Sequence, residues 1–266
     1  MKSWLDYTGL IFLGESNHGL YFKATPPSRL NLESDVVIKL LVQDSSDAQW
    51  QSVAQEIRLL NEFDSEWIVR ILETGHKHGR IYYVMEYATL GTLARPSRAL
   101  STLEQVTALS HGVKGLSLLH SKGYIHRDVR PSKILVHENG GKLNDLGIAE
   151  VNSLEENSVP TGSIGFMAPE VAKGLKASPA SDFFGIGATL HLILTSQSIY
   201  PNVPKLDLME AVEHIATVPP TIKNVKAKPH LMEIISRCLE LSPDARPENA
   251  IRLGYDLELA IEKDLE

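Results

Sequence analysis

Lys39 closes the run Val36-Val37-Ile38-Lys39, a strand-forming stretch whose other residues are apolar, so its ammonium needs an anion inside the fold. Glu56 sits on or beside the apolar stripe of a predicted helix in which Trp50, Val53, Ile57 and Leu60 recur at helical spacing. A carboxylate on such a face is costly unless a cation meets it, and Lys39 is the candidate partner. Further charges cluster in the loop stretch His126-Arg127-Asp128-Val129-Arg130-Pro131-Ser132-Lys133 and at Asp145-Leu146-Gly147. Other chemistries find less support. His76 and His78 are spaced to share one face of an extended segment, as metal ligands would be, but they fall in a Gly-flanked turn and read as solvated residues. Cys238, beside Leu231, Ile234 and Ile235, reads as a small core residue rather than a nucleophile. A single cysteine makes no internal disulfide, no Cys/His spacing matches a zinc site, and no Walker phosphate loop is present.

The elements that must position these residues divide the chain in two. β-branched and aromatic residues predict strands over 10–13, 20–24, 35–42, 68–74 and 81–86, interrupted by the helix over 49–63. After Gly91 the pattern changes to helices over 103–121, 181–196, 206–216 and 231–239. Gly112 and Gly115 read as helix-packing glycines. Neither repeats nor a long linker separate independent domains.

The 266 residues suit one two-lobed unit, and an apolar fraction of 43% supports a globular fold. Lysine and arginine total 26 against 33 acidic residues, so the formal charge of −7 gives no general attraction to nucleic acid or an anionic membrane. Asp6 interrupts what would be the apolar core of a signal peptide, and the run 183–194 is too short to span a bilayer. A reducing, cytoplasmic setting is expected, with no transmembrane segment.

In order along the chain stand a strand lysine (Lys39), a helix glutamate (Glu56), His126-Arg127-Asp128, Asp145-x-Gly147 and Ala168-Pro169-Glu170. Ser181-Asp182-Phe183-Phe184-Gly185 and Arg246 follow. This set resembles the signature of the serine/threonine protein kinases over nearly the whole chain. The resemblance implies an α+β, bilobal kinase fold in a single domain 1–266, with the small β-rich lobe and hinge over 1–88 and the helical lobe over 89–266. It implies ATP and Mg2+ as cofactors, and a protein substrate or a regulatory protein partner. Lys39 would hold the α- and β-phosphates, directed by Glu56; Asp145 would bind magnesium; Asp128 would take the proton of the substrate hydroxyl; Arg130 would face the transferred phosphoryl group. Gly14, Ser16, Gly19, Tyr21, Val37, Met85, Glu86, Ala88 and Leu135 would line the ATP site, with Met85 as gatekeeper and Glu86 to Ala88 as hinge. Glu170 and Arg246 would form a structural ion pair. Arg127 would receive a phosphate on the activation segment, where Ser153, Ser158, Thr161 and Ser163 are the hydroxyls; the alternative is that these are ordinary loop residues, with Glu155 and Glu156 supplying negative charge.

The chain departs from the family pattern at four places. Ser16 replaces the middle glycine of G-x-G-x-x-G, and Tyr21 and Val37 make a bulkier roof over adenine. Tyr21 has two possible courses, outward or into the adenine site. Lys133 replaces the asparagine that ligates a second magnesium, and an ammonium donates but cannot ligate. Asn144 is a poor substitute, being next to Asp145 on a segment expected to be extended. Three outcomes follow: catalysis with one magnesium, a lysine that itself neutralises phosphate charge, or a pseudokinase serving as a nucleotide-binding or partner-binding module. A small-molecule phosphotransferase would share the lysine and aspartates but should lack the Thr161-to-Glu170 segment and Arg246.

Overall fold

A computed structural model of the chain describes residues 6–16, 19–41, 63, 65–77, 80–145, 164–203 and 207–266. The expected helix over 49–63, all but Phe63 and with Glu56 within it, His78, Leu146 and Gly147, and the hydroxyls of Ser153, Ser158, Thr161 and Ser163 lie outside these residues.

Alternation of side chains builds the amino-terminal sheet from β1 (Thr8–Ser16), β2 (Gly19–Thr25), β3 (Val36–Leu41), β4 (Ile71–Lys77) and β5 (Arg80–Glu86), all neighbours antiparallel in the order β1-β2-β3-β5-β4. On β3, Val36 and Ile38 join Ala24, Tyr82 and Val84 in a cluster on one face, while Val37 points to the other face and the main core. Lys39 shares the parity of Val37 and so faces the main core as well.

The sequence pattern placed β4 three residues early. Ile68 and Val69 leave the sheet to meet the second lobe: Val69 N–H donates to the Leu143 carbonyl at 2.9 Å, and Leu143 N–H donates to that of Trp67 at 2.8 Å. His76 lies on β4 rather than in a turn, and its side chain is exposed.

The second lobe holds a small sheet, β6 (Gly91–Thr92), β7 (Arg95–Pro96), β8 (Ile134–His137) and β9 (Gly140–Leu143), beside the helices α1 (Thr102–Ser121), α2 (Pro169–Ala172), α3 (Pro179–Thr195), α4 (Leu208–Thr217), α5 (Pro229–Cys238) and α6 (Ala250–Asp264). A capping box starts α1: Glu104 N–H donates to the Ser101 hydroxyl at 3.2 Å and Ser101 N–H donates to the Glu104 carboxylate at 2.7 Å. α3 is buried on every side from Ser181 to His191, which explains why its sequence is apolar all round. Among the described residues no helix is long and apolar enough to cross a membrane. The sequence reading omitted α6, although Ala250, Leu253, Gly254, Leu257 and Ile261 form a buried stripe at helical spacing. Gly112 and Gly115 do not face another helix: a Cβ would lie 2.5 Å from Ile134 Cδ1 and 2.7 Å from the Trp67 carbonyl oxygen, respectively. Cys238 is buried and unpaired, its thiol pushed up to about 12 by burial.

Glu170 on α2 and Arg246 form the expected ion pair through two parallel contacts of 2.7 and 2.8 Å. The Ser181 hydroxyl adds a third donor to Glu170 at 2.7 Å, and Arg246 also donates to the carbonyls of Glu240 and Ala180. Burial alone would raise the Glu170 pKa, but these donors hold it below the ordinary value. Removing one partner of so buried a pair leaves a charge unmet. Arg246→Met is therefore expected to cost about 3–5 kcal/mol in urea unfolding, with most of that loss recovered in the double variant Glu170→Met/Arg246→Leu. Equal losses in the single and double variants would count against the pairing argument.

Candidate active site

The loop after α1 is held from below by one buried carboxylate. Asp182 on α3 is 1% exposed and accepts the backbone N–H groups of His126 at 2.9 Å and Arg127 at 2.8 Å; His120 Nε2 lies 2.8 Å from it as well. The close approach requires glycine at 185, because a Cβ there would stand 2.5 Å from the Val129 carbonyl oxygen. His126 is fully buried, and desolvation lowers its pKa, so the ring is neutral with one donor and one acceptor. Nδ1 accepts from Asp128 N–H at 3.3 Å, which leaves Nε2 to donate to the Asn144 carbonyl at 3.2 Å. Arg127 turns the chain with φ +67° and exposes its side chain.

Above this floor five charged side chains meet. Arg130 Nε lies 3.0 Å from Asp128 Oδ1 and 3.1 Å from Oδ2. The next three residues, Pro131–Lys133, form a 3-10 turn that carries the Lys133 ammonium to Asp145 Oδ2 and to within 3.3 Å of Asp128 Oδ2. From the other lobe, Lys39 Nζ donates to Asp145 Oδ1 at 2.7 Å. The extended path expected through Asn144 breaks at Asp145, whose φ of +62° lies in the left-handed region. Asn144 N–H donates to the Lys133 carbonyl at 2.9 Å, so the two chain segments that present Lys133 and Asp145 are themselves joined.

Each lysine is set by its surroundings. Lys39 is 3% exposed, opposite Tyr21 on β2 and Tyr83 on β5, with its ammonium 5.5 and 5.2 Å from the two ring centres. Tyr21 thus takes the inward course, packing against the main core rather than turning outward. Burial opposes the charge on Lys133, yet Asp145 and Asp128 outweigh it and raise the pKa above the ordinary lysine value. Burial would likewise raise the Asp145 pKa, but Lys133 and Lys39 pull it well below the usual carboxylate range.

The remaining candidates lie on the sheets and in the main core. Val37, Met85, Ala88 and Leu135 are buried in the main core, and Glu86 accepts from Arg70 N–H at 2.9 Å and from Lys142 Nζ at 2.6 Å. Gly14 and Ser16 lie on β1, paired with Tyr21 and Gly19 of β2; a Cβ on Gly19 would meet the Leu40 carbonyl oxygen at 2.8 Å. Sequence reasoning missed His120, whose partnership with Asp182 joins α1 to α3 and carries no motif of its own.

The magnesium positions implied by the sequence do not fit this arrangement. Both Asp145 oxygens already accept from ammonium groups, and position 133 supplies a third-party cation instead of a ligand. A divalent ion about 4 Å from the Lys133 ammonium would be repelled by roughly 8 kcal/mol at an effective dielectric near 20. Among the described residues no group of three or more His, Cys, Asp or Glu side chains is arranged to hold a metal.

Because Asp145 is ionised more readily when folded than when unfolded, its contribution to stability is full above the ordinary carboxylate pKa and is lost as pH falls through the folded value. The stability advantage of the wild type over Asp145→Asn is expected to be constant above about pH 5 and to shrink progressively below about pH 4 in urea titrations. An advantage independent of pH across that range would contradict the double ammonium contact.

Residues 12–253 match the family model described as "Protein kinase domain". Serine/threonine-protein kinase PknK of Mycobacterium bovis is 30% identical over 254 residues, covering 92% of this chain and 23% of that protein. Serine/threonine-protein kinase PknB of Mycolicibacterium smegmatis is 28% identical, covering 86% of this chain and 39% of that protein. Serine/threonine-protein kinase cst-1 of Caenorhabditis elegans is 28% identical, covering 91% and 48%. The chain thus spans about a quarter to a half of these relatives. With its strand lysine, loop aspartate and buried Glu170–Arg246 pair disposed on a bilobal α+β fold, the chain belongs to the protein kinase domain family of the Hanks serine/threonine type.

Proposed function

We propose that the chain transfers the γ-phosphoryl group of ATP to a serine or threonine hydroxyl of a protein substrate. The observation that carries this reading is the convergence of Lys39, Asp128, Arg130 and Asp145, from separate segments of both lobes, on one cluster where the lobes meet. In this reading Gly14, Ser16 and Gly19 cover the phosphates. Tyr21, Val37, Met85 and Leu135 enclose the adenine, and backbone groups of Glu86 to Ala88 hold its edge.

Asp128 receives the proton of the substrate hydroxyl as its oxygen attacks the γ-phosphorus. The bond from that phosphorus to the bridging oxygen breaks, and ADP leaves with the bond electrons. Lys39 and Arg130 meet the charge on the phosphates, with Glu56 directing Lys39 in the active arrangement. Magnesium, which the family generally uses with ATP, would have to displace the ammonium pair from Asp145 to bind there. A phosphate on Ser158, Thr161 or Ser163 would find the exposed guanidinium of Arg127.

A second reading has one specific observation behind it: the cluster is electrostatically closed, with both oxygens of Asp145 engaged. In that reading the domain is a pseudokinase that binds nucleotide or a protein partner and regulates it.

Labelled ATP and a mixed serine/threonine peptide substrate distinguish the two. Phosphate incorporation by the wild type is expected, with a fall of about 10²- to 10⁴-fold in Asp128→Asn. A wild type without incorporation, together with a Lys133→Asn variant that gains it, would transfer support to the pseudokinase reading.

A further inference from the structure

Lys133 is not an idle replacement for asparagine. It ends a 3-10 turn that is fixed at both backbone groups, its N–H donating to the Arg130 carbonyl at 2.9 Å and its carbonyl accepting from Asn144 N–H at 2.9 Å. Its side chain is 11% exposed and spans the gap between the two aspartates, where a flexible lysine on a surface turn would ordinarily run out to water. With Lys39 and Arg130, it brings a third cation to Asp128 and Asp145. Asparagine at 133 would remove that positive charge from between the two carboxylates. The lysine thus provides a cation from within the chain, at the sequence position where the family pattern has a metal-ligating asparagine.

We propose that Lys133 serves as a built-in counter-charge for the nucleotide phosphates, so that the cleft binds ATP without a divalent metal. The proposal rests on the cleft being the nucleotide site. On binding, the phosphate oxygens join Asp145 and Asp128 as acceptors of the Lys39 and Lys133 ammonium groups, each of which carries three donors. No covalent bond is made or broken. An ammonium held between two carboxylates can take a further anionic partner without leaving its place, whereas a metal ion would first have to displace it.

The experiment is isothermal titration of the 266-residue chain with ATP and with its non-hydrolysable imido analogue, in EDTA and in excess magnesium. Wild-type dissociation constants are expected to agree within about threefold between the two conditions. Lys133→Asn is expected to weaken binding in EDTA by about tenfold or more, with magnesium restoring it, while Lys133→Arg keeps the metal-independent behaviour. Wild-type binding that magnesium strengthens by about tenfold or more would overturn the proposal, as would metal-independent binding by Lys133→Asn or no binding under any condition. Should Lys133→Asn fail to fold, the wild-type comparison and Lys133→Arg decide it. Phosphate incorporation alongside magnesium-dependent binding would sink this inference and spare the phosphotransfer reading. Metal-independent binding with no incorporation would do the reverse.

Discussion

One carboxylate shared by two ammonium groups ties the molecule together. Asp145 belongs to the segment leaving β9, Lys39 to a strand of the other lobe, and Lys133 to the 3-10 turn before β8. Buried as they are, the three charges support one another, since the desolvation of each is offset in part by its neighbours. The positions of two lobes and one loop are therefore coupled by electrostatics at a single point. Arg130 and Asp128 extend the coupling by one further ion pair.

The scaffold beneath is built on a second principle, satisfaction of backbone donors by a buried side chain. Asp182 takes two consecutive N–H groups of a loop that has no regular structure of its own, and neutral His126 links that loop to the residue before Asp145. A loop fixed by its main chain leaves its side chains free for chemistry. Far below, the Glu170–Arg246 pair anchors the short helix after the activation segment to the end of the lobe. Charge thus appears twice in the interior, once where it holds structure and once where it faces the cleft.

Much of this was legible in the residues. The apolar run before Lys39 announced a buried ammonium, the order of the motifs announced the fold, and the apolar run 183–194 announced a central helix rather than a membrane span. What escaped was set by contacts distant in sequence. Nothing local marks His120 as the neighbour of Asp182, or Ile68 and Val69 as belonging to a seam with Leu143 rather than to β4. The left-handed turn at Asp145 defeated the expectation of an extended segment, because an aspartate accepts that conformation only when its surroundings impose it. Lys133 showed that an unusual residue was present. Only the fold revealed that its ammonium turns inward.

The seam between Trp67–Val69 and Leu143 gives the two lobes a joint other than the covalent hinge. Because this joint is made by main-chain groups, it resists separation of the lobes at that point. Leu143 stands two residues before Asp145, so the carboxylate that Lys39 reaches from the first lobe lies beside the place where the lobes are already joined.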